Sequence, residues 1–180
     1  MSQLTYKIAK LWGSPTGTVE KHEVDQELHY EGGPQFASNL TAELMLINMK
    51  DEISVILSDA TVDVHFTCQR CLEDFVQTIE IDGVEREFLW DRQQDIENLY
   101  DVFFIDQKNM VVDLGEMVRQ EIILHFPFIP VCFESCKGLC QYCGKNKNKS
   151  SCKCKAPEEA NTEEHKPFKD LKKLIKKPKK

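Results

Sequence analysis

The chain is organised around the stretch Cys132-Phe-Glu-Ser-Cys136-Lys-Gly-Leu-Cys140-Gln-Tyr-Cys143-Gly144, which closes with Cys152-Lys-Cys154. It contains six of the eight cysteines, and the other two form the upstream sequence Cys68-Gln-Arg-Cys71. Thiolates two or three residues apart can reach one tetrahedral ion, and two such pairs complete a structural zinc site. The glycine after Cys143 allows the tight turn of a zinc knuckle. This spacing strongly predicts metal binding.

The length and composition favour one reduced, water-soluble domain. The chain has 180 residues, of which 41% are apolar, enough for a single core. No stretch approaches the roughly 18 apolar residues of a membrane span. The sequence also begins without the apolar segment of a signal peptide. We therefore expect a cytoplasmic protein without membrane partners, in which metal ligation is favoured over disulfides.

The net charge of −7 conceals a strong asymmetry. Residues 1–136 contain 9 Lys and Arg against 25 Asp and Glu, whereas residues 137–155 contain 6 Lys and no acid. Residues 165–180 contain 8 Lys and one Asp. A basic end on an acidic body is often found in proteins that bind nucleic acid. A solvated tail that keeps the protein soluble would have the same composition.

Alternating apolar residues between positions 40 and 90 predict β-strands. Three stripes carry the signal: Leu44 with Leu46, Ile53 with Val55 and Leu57, and Val62 with Val64 and Phe66. The third stripe runs into Cys68, and a similar stripe from Phe75 to Ile81 leaves Cys71. The upstream cysteine pair is therefore expected at the tip of a β-hairpin. Further strands are predicted in residues 4–12, 18–30, 83–90 and 102–105.

One main helix is predicted over residues 113–126. Asp113 and Glu116 match a capping box at its start, and Pro127 ends it. The apolar stripe that should face the sheet contains Leu114, Met117, Val118 and Ile122. His125 is interpreted as a residue at the helix end rather than a metal ligand.

Together these patterns predict an α+β protein in three parts. An antiparallel β-sheet covered by the helix forms an acidic body over residues 1–126. A cysteine-rich zinc module follows over residues 127–156, and an acidic linker with a basic amphipathic tail helix over residues 157–180. The tail helix has an apolar stripe for docking on a partner, formed by Phe168, Leu171, Leu174 and Ile175.

The chain resembles a bacterial and plastid family, the YceD-like large ribosomal RNA subunit accumulation proteins. The matching residues are Cys68-Gln-Arg-Cys71-Leu-Glu-Asp-Phe75, Asp113 through Ile123, Cys136-Lys-Gly-Leu-Cys140 with Cys143-Gly144, Cys152 with Cys154, and Pro167-Phe168 with Leu171 and Leu174. The resemblance covers most of residues 40–180. It implies a non-enzymatic role in the accumulation or processing of large-subunit ribosomal RNA. Lys147 departs from the family pattern, which has an apolar residue between Asn146 and Asn148.

Two zinc arrangements are open. In the first, one ion is held by Cys68, Cys71, Cys132 and Cys136, and another by Cys140, Cys143, Cys152 and Cys154. In the second, a single ion binds Cys140 and Cys143 with two of the other cysteines. An iron–sulfur cluster is a rival, since it also accepts cysteine-only ligation. Four-cysteine zinc sites leave no position for water, and the sequence has no phosphate loop or H-E-x-x-H motif, so no enzymatic activity is expected.

Two binding functions remain. In the first, the protein contacts large-subunit ribosomal RNA or a pre-large-subunit particle through Arg70, Lys137, Lys145, Lys147, Lys149, Lys153 and Lys155. Tyr142 then stacks on a base or packs on the knuckle, and Arg70 reaches RNA or bonds a thiolate. In the second, the protein is an adaptor whose acidic body binds a basic ribosomal protein or processing factor.

Overall fold

The computed structural model of the protein describes residues 4–90 and 102–154. In these residues the fold is mostly β, with two short helices. The elements in chain order are β1 (Thr5–Lys7), α1 (Ala9–Trp12), β2 (Val19–Gln26), β3 (Leu40–Asn48), β4 (Glu52–Thr67), β5 (Asp74–Leu89), β6 (Phe103–Phe104), β7 (Val111–Asp113) and α2 (Gly115–Leu124). The predicted tail lies outside the described residues.

The main sheet has the strand order β2-β3-β4-β5-β6. Strands β2 to β5 are antiparallel, but β6 runs parallel to β5, with Phe88 opposite Phe103. The rings of these two residues stack with their centroids 5.2 Å apart. The prediction of an antiparallel sheet is therefore wrong at this edge, and the sheet is mixed. Alternation of apolar residues shows which face is buried but not the direction of a two-residue strand.

The predicted apolar stripes form the core. Leu44 and Leu46 of β3 are buried, as is the stripe from Ile53 to Leu57 in β4. Beyond Asp59, which has a positive φ of 49°, the buried positions of β4 change from odd to even numbers. The register with β3 also shifts here, as at a β-bulge. The bulge lets the stripe containing Val62 continue the same core.

The N-terminal prediction is correct only in part. Residues 4–12 form a three-residue strand and then the short helix α1, because Leu4, Ile8 and Leu11 are all buried and have the spacing of a helix rather than a strand. Strand β1 pairs with β7 in a separate two-stranded sheet, with Tyr6 opposite Val112. The sequence patterns did not predict this second sheet.

Helix α2 is shorter than predicted. Asp113 belongs to β7, and its carboxylate accepts a hydrogen bond from the Gly115 N–H at 2.9 Å. The Glu116 carboxylate bonds Arg119 and Gln120 rather than reaching back, so the reciprocal capping box is not formed. None of the helices in the described residues is long and apolar enough to cross a membrane.

The buried face of α2 packs against the sheet. Met117, Val118 and Ile122 join the main core, and the buried Glu121 pairs with Arg86 of β5. His125 follows the last helical turn, and its Nδ1 lies 2.8 Å from the Glu121 carbonyl oxygen. This position agrees with its interpretation as a helix-end residue.

Candidate metal centres

The β4–β5 hairpin presents the first candidate metal centre at its tip, between Thr67 and Asp74. Four cysteines meet there, and their sulfurs all lie within 4.8 Å of one another: Cys68, Cys71, Cys132 and Cys136. We call them the hairpin cysteine group. Cys68, Cys71 and Cys136 are buried, and Cys132 is partly buried.

The sulfur spacing of the hairpin group fits a single tetrahedral ion. The Sγ atoms of Cys71 and Cys132 are 3.6 Å apart, and those of Cys68 and Cys136 are 3.9 Å apart. Four sulfurs at about 2.3 Å from a zinc ion are separated by about 3.8 Å along each edge of the tetrahedron. A disulfide would need about 2.05 Å. All eight cysteines are free thiols.

The second centre is local in sequence. Its four sulfurs also lie within 4.8 Å of one another and belong to Cys140, Cys143, Cys152 and Cys154. We call them the loop cysteine group. Cys140 is buried, Cys152 is partly buried, and Cys143 and Cys154 are exposed. The structure thus places the eight sulfurs in the two sets of the first zinc arrangement.

The hairpin group is built on a knuckle with a specific backbone pattern. The Cys68 N–H donates to the Glu73 carbonyl at 2.9 Å, and the Leu72 N–H donates to the Cys68 carbonyl at 2.9 Å. The flanking residues Thr67 and Asp74 are paired across the hairpin. These bonds turn the chain tightly around the first two sulfurs.

The loop group repeats this pattern at the same offsets. The Cys140 N–H donates to the Lys145 carbonyl at 2.8 Å, and the Gly144 N–H donates to the Cys140 carbonyl at 2.8 Å. The flanking residues Leu139 and Asn146 form an antiparallel bridge. The sequences C-Q-R-C and C-Q-Y-C therefore fold into two copies of one knuckle.

Both knuckles need a left-handed backbone directly after their second cysteine. Leu72 has φ of 58° and Gly144 has φ of 69°. Glycine adopts this conformation readily, whereas a residue with a Cβ is strained by roughly 1–2 kcal/mol. The hairpin knuckle therefore carries a strain that the loop knuckle avoids.

Backbone donors stabilise one thiolate in each group. Burial opposes ionisation of Cys68, yet backbone N–H donors, including that of Cys132, lower its pKa to about 6. The N–H groups of Tyr142 and Cys143 lower the pKa of Cys140 to about 6. Near neutral pH each group thus offers a thiolate, the form that binds metal.

The crowded sulfurs cannot all ionise without a cation. Burial and the neighbouring sulfurs raise the pKa of Cys132 to about 12. Contact with Cys143, followed by burial, raises the pKa of Cys154 to about 12. Four negative charges within a few ångströms repel one another, and a central divalent cation removes that repulsion. The donor set, spacing and electrostatics of both groups fit a metal ion.

The geometry also limits which metal centre fits. A cluster with several irons places its cysteines on different iron atoms, so some of the sulfurs must lie further apart than ligands of one ion. Sulfurs that all lie within 4.8 Å suit a single ion in each group. Four protein ligands complete a tetrahedron and leave no position for a reacting water. Such sites hold structure together.

Arg70 and Gly138 fix the chain around the hairpin group. The Arg70 Nη1 donates to the carbonyls of Glu134 at 2.9 Å and Cys136 at 3.2 Å. The Arg70 carbonyl accepts the Leu139 N–H at 2.9 Å. A Cβ on Gly138 would lie 2.7 Å from that carbonyl oxygen, and its φ is 66°. Arg70 therefore connects the hairpin tip to the cysteine-rich segment, a role different from the RNA contact or thiolate bond that its sequence position suggested.

Residues between Cys143 and Cys152 also support the hairpin group, a role that the sequence patterns did not predict. The Asn148 Nδ2 donates to the Cys136 Sγ at 3.2 Å, and its Oδ1 accepts the Lys137 N–H at 2.8 Å. Lys149 forms an ion pair with Glu73 of the hairpin, with Nζ and Oε2 2.6 Å apart. The only signal for this role in the sequence was the pair Asn146 and Asn148, one on each side of Lys147.

The remaining predicted RNA contacts have different surroundings. Four lysines expose their side chains on the cysteine-rich segment: Lys137, Lys145, Lys147 and Lys153. Lys149 is exposed but forms an ion pair with Glu73, and Lys155 lies outside the described residues. Tyr142 is also exposed. The Lys147 N–H donates to the Gly138 carbonyl at 2.9 Å, so its backbone is held while its side chain faces solvent.

The fold and the two cysteine groups define a mostly β protein with two closed sites suited to structural metal ions. Residues 56–175 match the family described as large ribosomal RNA subunit accumulation protein YceD, and the chain belongs to this family. The resemblance seen in the motifs is thereby confirmed. The family description refers to accumulation of the large ribosomal RNA subunit and does not name an enzymatic activity. Neither a curated protein nor a solved structure matches the chain.

Proposed function

We propose that this protein promotes accumulation of the large ribosomal RNA subunit by binding, without catalysis, and that each cysteine group holds one structural zinc ion. The family match supports the process, and the two closed four-sulfur groups support the metal. Metal analysis of the purified native chain tests the second part, and two zinc ions per chain are expected. Chains that contain iron, or intramolecular disulfides without metal, would contradict it.

The proposed RNA surface is the outer side of the cysteine-rich segment. The observation that carries it is the group of exposed lysines on a backbone fixed by two knuckles: Lys137, Lys145, Lys147 and Lys153. A zinc ion with four thiolates has a net charge of −2, so some of this positive charge also compensates the metal centres. Phosphate contacts would use the same side chains, and rigid positioning favours binding because less entropy is lost.

A salt series tests direct RNA contact. The logarithm of the affinity for fragments of large-subunit RNA should fall linearly with the logarithm of salt concentration. Replacing Lys145, Lys147 and Lys153 by alanine should reduce the slope by about 2 for a single-stranded fragment. The matched control replaces three exposed lysines elsewhere, Lys10, Lys21 and Lys108, and should leave the slope unchanged. Equal slopes for the two triple variants would contradict the proposed surface.

A second candidate function is an adaptor that binds a basic ribosomal protein. Its specific support is a run of exposed large apolar side chains between residues 123 and 133. The run contains Ile123, Leu124, Phe128, Ile129 and Phe133, and Phe128 is 100% exposed. Clustered exposed apolar side chains are typical of protein-binding surfaces. The acidic body favours a basic partner.

The adaptor is distinguished by a variant of this apolar run. Replacing Phe128 and Ile129 by serine should reduce co-sedimentation with pre-large-subunit particles, while affinity for naked RNA fragments stays the same. Loss of both activities, or of neither, would contradict a separate protein-binding surface. The proposed docking stripe of the tail contains Phe168, Leu171, Leu174 and Ile175. If this stripe docks on a partner, Leu171→Asp together with Leu174→Asp should reduce co-sedimentation with the same particles, and equal co-sedimentation would contradict it.

A further inference from the structure

The two candidate metal centres are linked by direct contacts. The eight residues from Gly144 to Ser151 would be enclosed between Cys143 and Cys152 when the loop group holds a metal. Asn148, within this enclosed loop, donates its side-chain N–H to the Cys136 sulfur of the hairpin group. No other described part of the loop contacts a sulfur of the hairpin group by a side-chain hydrogen bond.

Further bonds attach the same loop to the hairpin knuckle. Asn146 and Lys149 both reach the Glu73 carboxylate, at 3.4 Å and 2.6 Å. The Glu73 carbonyl in turn accepts the Cys68 N–H that closes the knuckle. The Asn146 Oδ1 accepts the Asn148 N–H at 2.9 Å, which orients the Asn148 side chain toward Cys136. The loop thus contacts both the Cys136 sulfur of the hairpin group and Glu73 of the hairpin knuckle.

We infer that the two centres bind metal cooperatively, with Asn148 as the residue that couples them. The inference rests on the proposed zinc occupancy and adds that the two affinities depend on each other. A metal in the loop group closes the loop and fixes the position of Asn148. Its N–H then stabilises the Cys136 thiolate without a further loss of loop entropy, so the hairpin group binds its own metal more tightly.

The coupling is reciprocal. By linkage, a metal in the hairpin group must raise the affinity of the loop group by the same factor. Hydrogen bonds to charged acceptors contribute enough to change an equilibrium by about tenfold to a hundredfold. Because the loop in the metal-free loop group still forms some of its contacts, we expect the coupling to lie near the lower value.

The experiment titrates the full chain with Co²⁺, which reports thiolate ligation by its visible absorption, and then displaces it with Zn²⁺. In the parent chain two ions should bind. Replacing Cys143 and Cys154 by serine removes the loop group, and the remaining hairpin group should bind about tenfold more weakly than in the parent. Asn148→Asp keeps the acceptor for Lys137 but removes the donor to sulfur, and it should weaken the hairpin group similarly in the parent background.

The combination of changes isolates the coupling. In the Cys143→Ser, Cys154→Ser background, Asn148→Asp should have a much smaller effect than in the parent, because the loop is already open. Ser150→Ala, at an exposed and uncharged position in the same loop, is the control and should leave both affinities unchanged. Equal affinity of the hairpin group with and without the loop group would overturn the inference while leaving the zinc proposal intact. Failure of the parent to bind two ions would overturn both.

Discussion

The hairpin and loop cysteine groups use one knuckle for two different purposes. Both knuckles have the same backbone hydrogen bonds and the same spacing of donors around the first sulfur. The hairpin group joins segments about sixty residues apart and is mostly buried, whereas the loop group lies within residues 140–154 and has two exposed cysteines. The same local structure can therefore hold two parts of a fold together or merely close a loop, depending on where the other two cysteines come from.

The difference has a thermodynamic consequence. Joining distant segments restricts far more chain than closing a loop of eight intervening residues. The cysteine-rich segment has its contacts with the body concentrated near the hairpin tip, through Arg70, Glu73 and Gln69. Metal loss at the hairpin group should therefore free this segment from the body, and metal loss at the loop group should affect mainly the loop.

The largest expected effect is seen when two variants are compared, each of which removes one ligand from one of the groups. Cys68→Ser should lower the thermal unfolding midpoint by about 10 °C or more and make residues 127–154 accessible to protease. Cys143→Ser should lower it by only a few degrees and expose only the loop. Differential scanning calorimetry and limited proteolysis measure both. Equal destabilisation by the two variants would show that the groups do not differ in the way their connectivity suggests.

Two glycines offer a sharper comparison. Both have a positive φ, but a Cβ on Gly138 would lie 2.7 Å from a backbone oxygen, whereas a Cβ on Gly144 would meet nothing within 4 Å. Gly138→Ala should cost about 3 kcal/mol, from backbone strain plus the clash. Gly144→Ala should cost about 1 kcal/mol, from backbone strain alone. Denaturant unfolding of the metal-loaded chain gives both values, and a larger cost at Gly144 would contradict the contact at Gly138.

The sequence predicted the elements of both sites but not their connections. The alternation that leads into Cys68 was enough to place this pair at a hairpin tip, since strand periodicity depends on neighbouring residues. Cysteine spacing left open whether one ion or two are bound, because pairing of distant thiols depends on the tertiary fold. Asn148 gave no signal of its contact with Cys136, since a single amide side chain has no periodicity to reveal its partner.

The same limit explains the errors in the fold. Leu4, Tyr6 and Ile8 alternate as in a strand, yet the helix Ala9–Trp12 begins directly after Ile8. Four residues are too few for the two periods to be separated. Whether β6 runs parallel or antiparallel to β5 depends on the path by which the chain returns to the sheet. The pattern of side chains does not specify this path.

The residue after each knuckle provides a test with a smaller effect. Leu72 and Gly144 occupy equivalent positions, and the Leu72 side chain is 63% exposed. Leu72→Gly should relieve backbone strain, partly offset by the entropy of an unfolded glycine, and raise the free energy of unfolding by about 0.5 kcal/mol. Gly144→Leu should lower it by about 1 kcal/mol. Marked destabilisation by Leu72→Gly would mean that this side chain contributes packing that its exposure does not indicate.

The smallest expected effect concerns the ion pair between Lys149 of the enclosed loop and Glu73 of the hairpin knuckle. Hydrogen bonds from Lys149 and then Asn146 lower the pKa of Glu73 below its ordinary value. A carboxyl whose pKa is lower in the folded state contributes stability at neutral pH, and this contribution is lost as the pH falls through the folded pKa. Because the pair is exposed, its contribution to stability is screened by solvent and salt.

The pKa of Glu73 itself is therefore a better measure of this contact than stability. In Lys149→Ala, the Glu73 pKa should rise toward its ordinary value, because the first donor and its positive charge are both removed. An NMR titration of the side-chain carboxyl follows this directly, and Lys147→Ala serves as the matched control because the Lys147 side chain faces solvent. If the loop contacts the hairpin as the structure shows, only Lys149→Ala shifts the titration. An identical Glu73 pKa in the two variants would mean that the knuckles are independent in solution, and that the hairpin and loop groups differ in burial but are not joined.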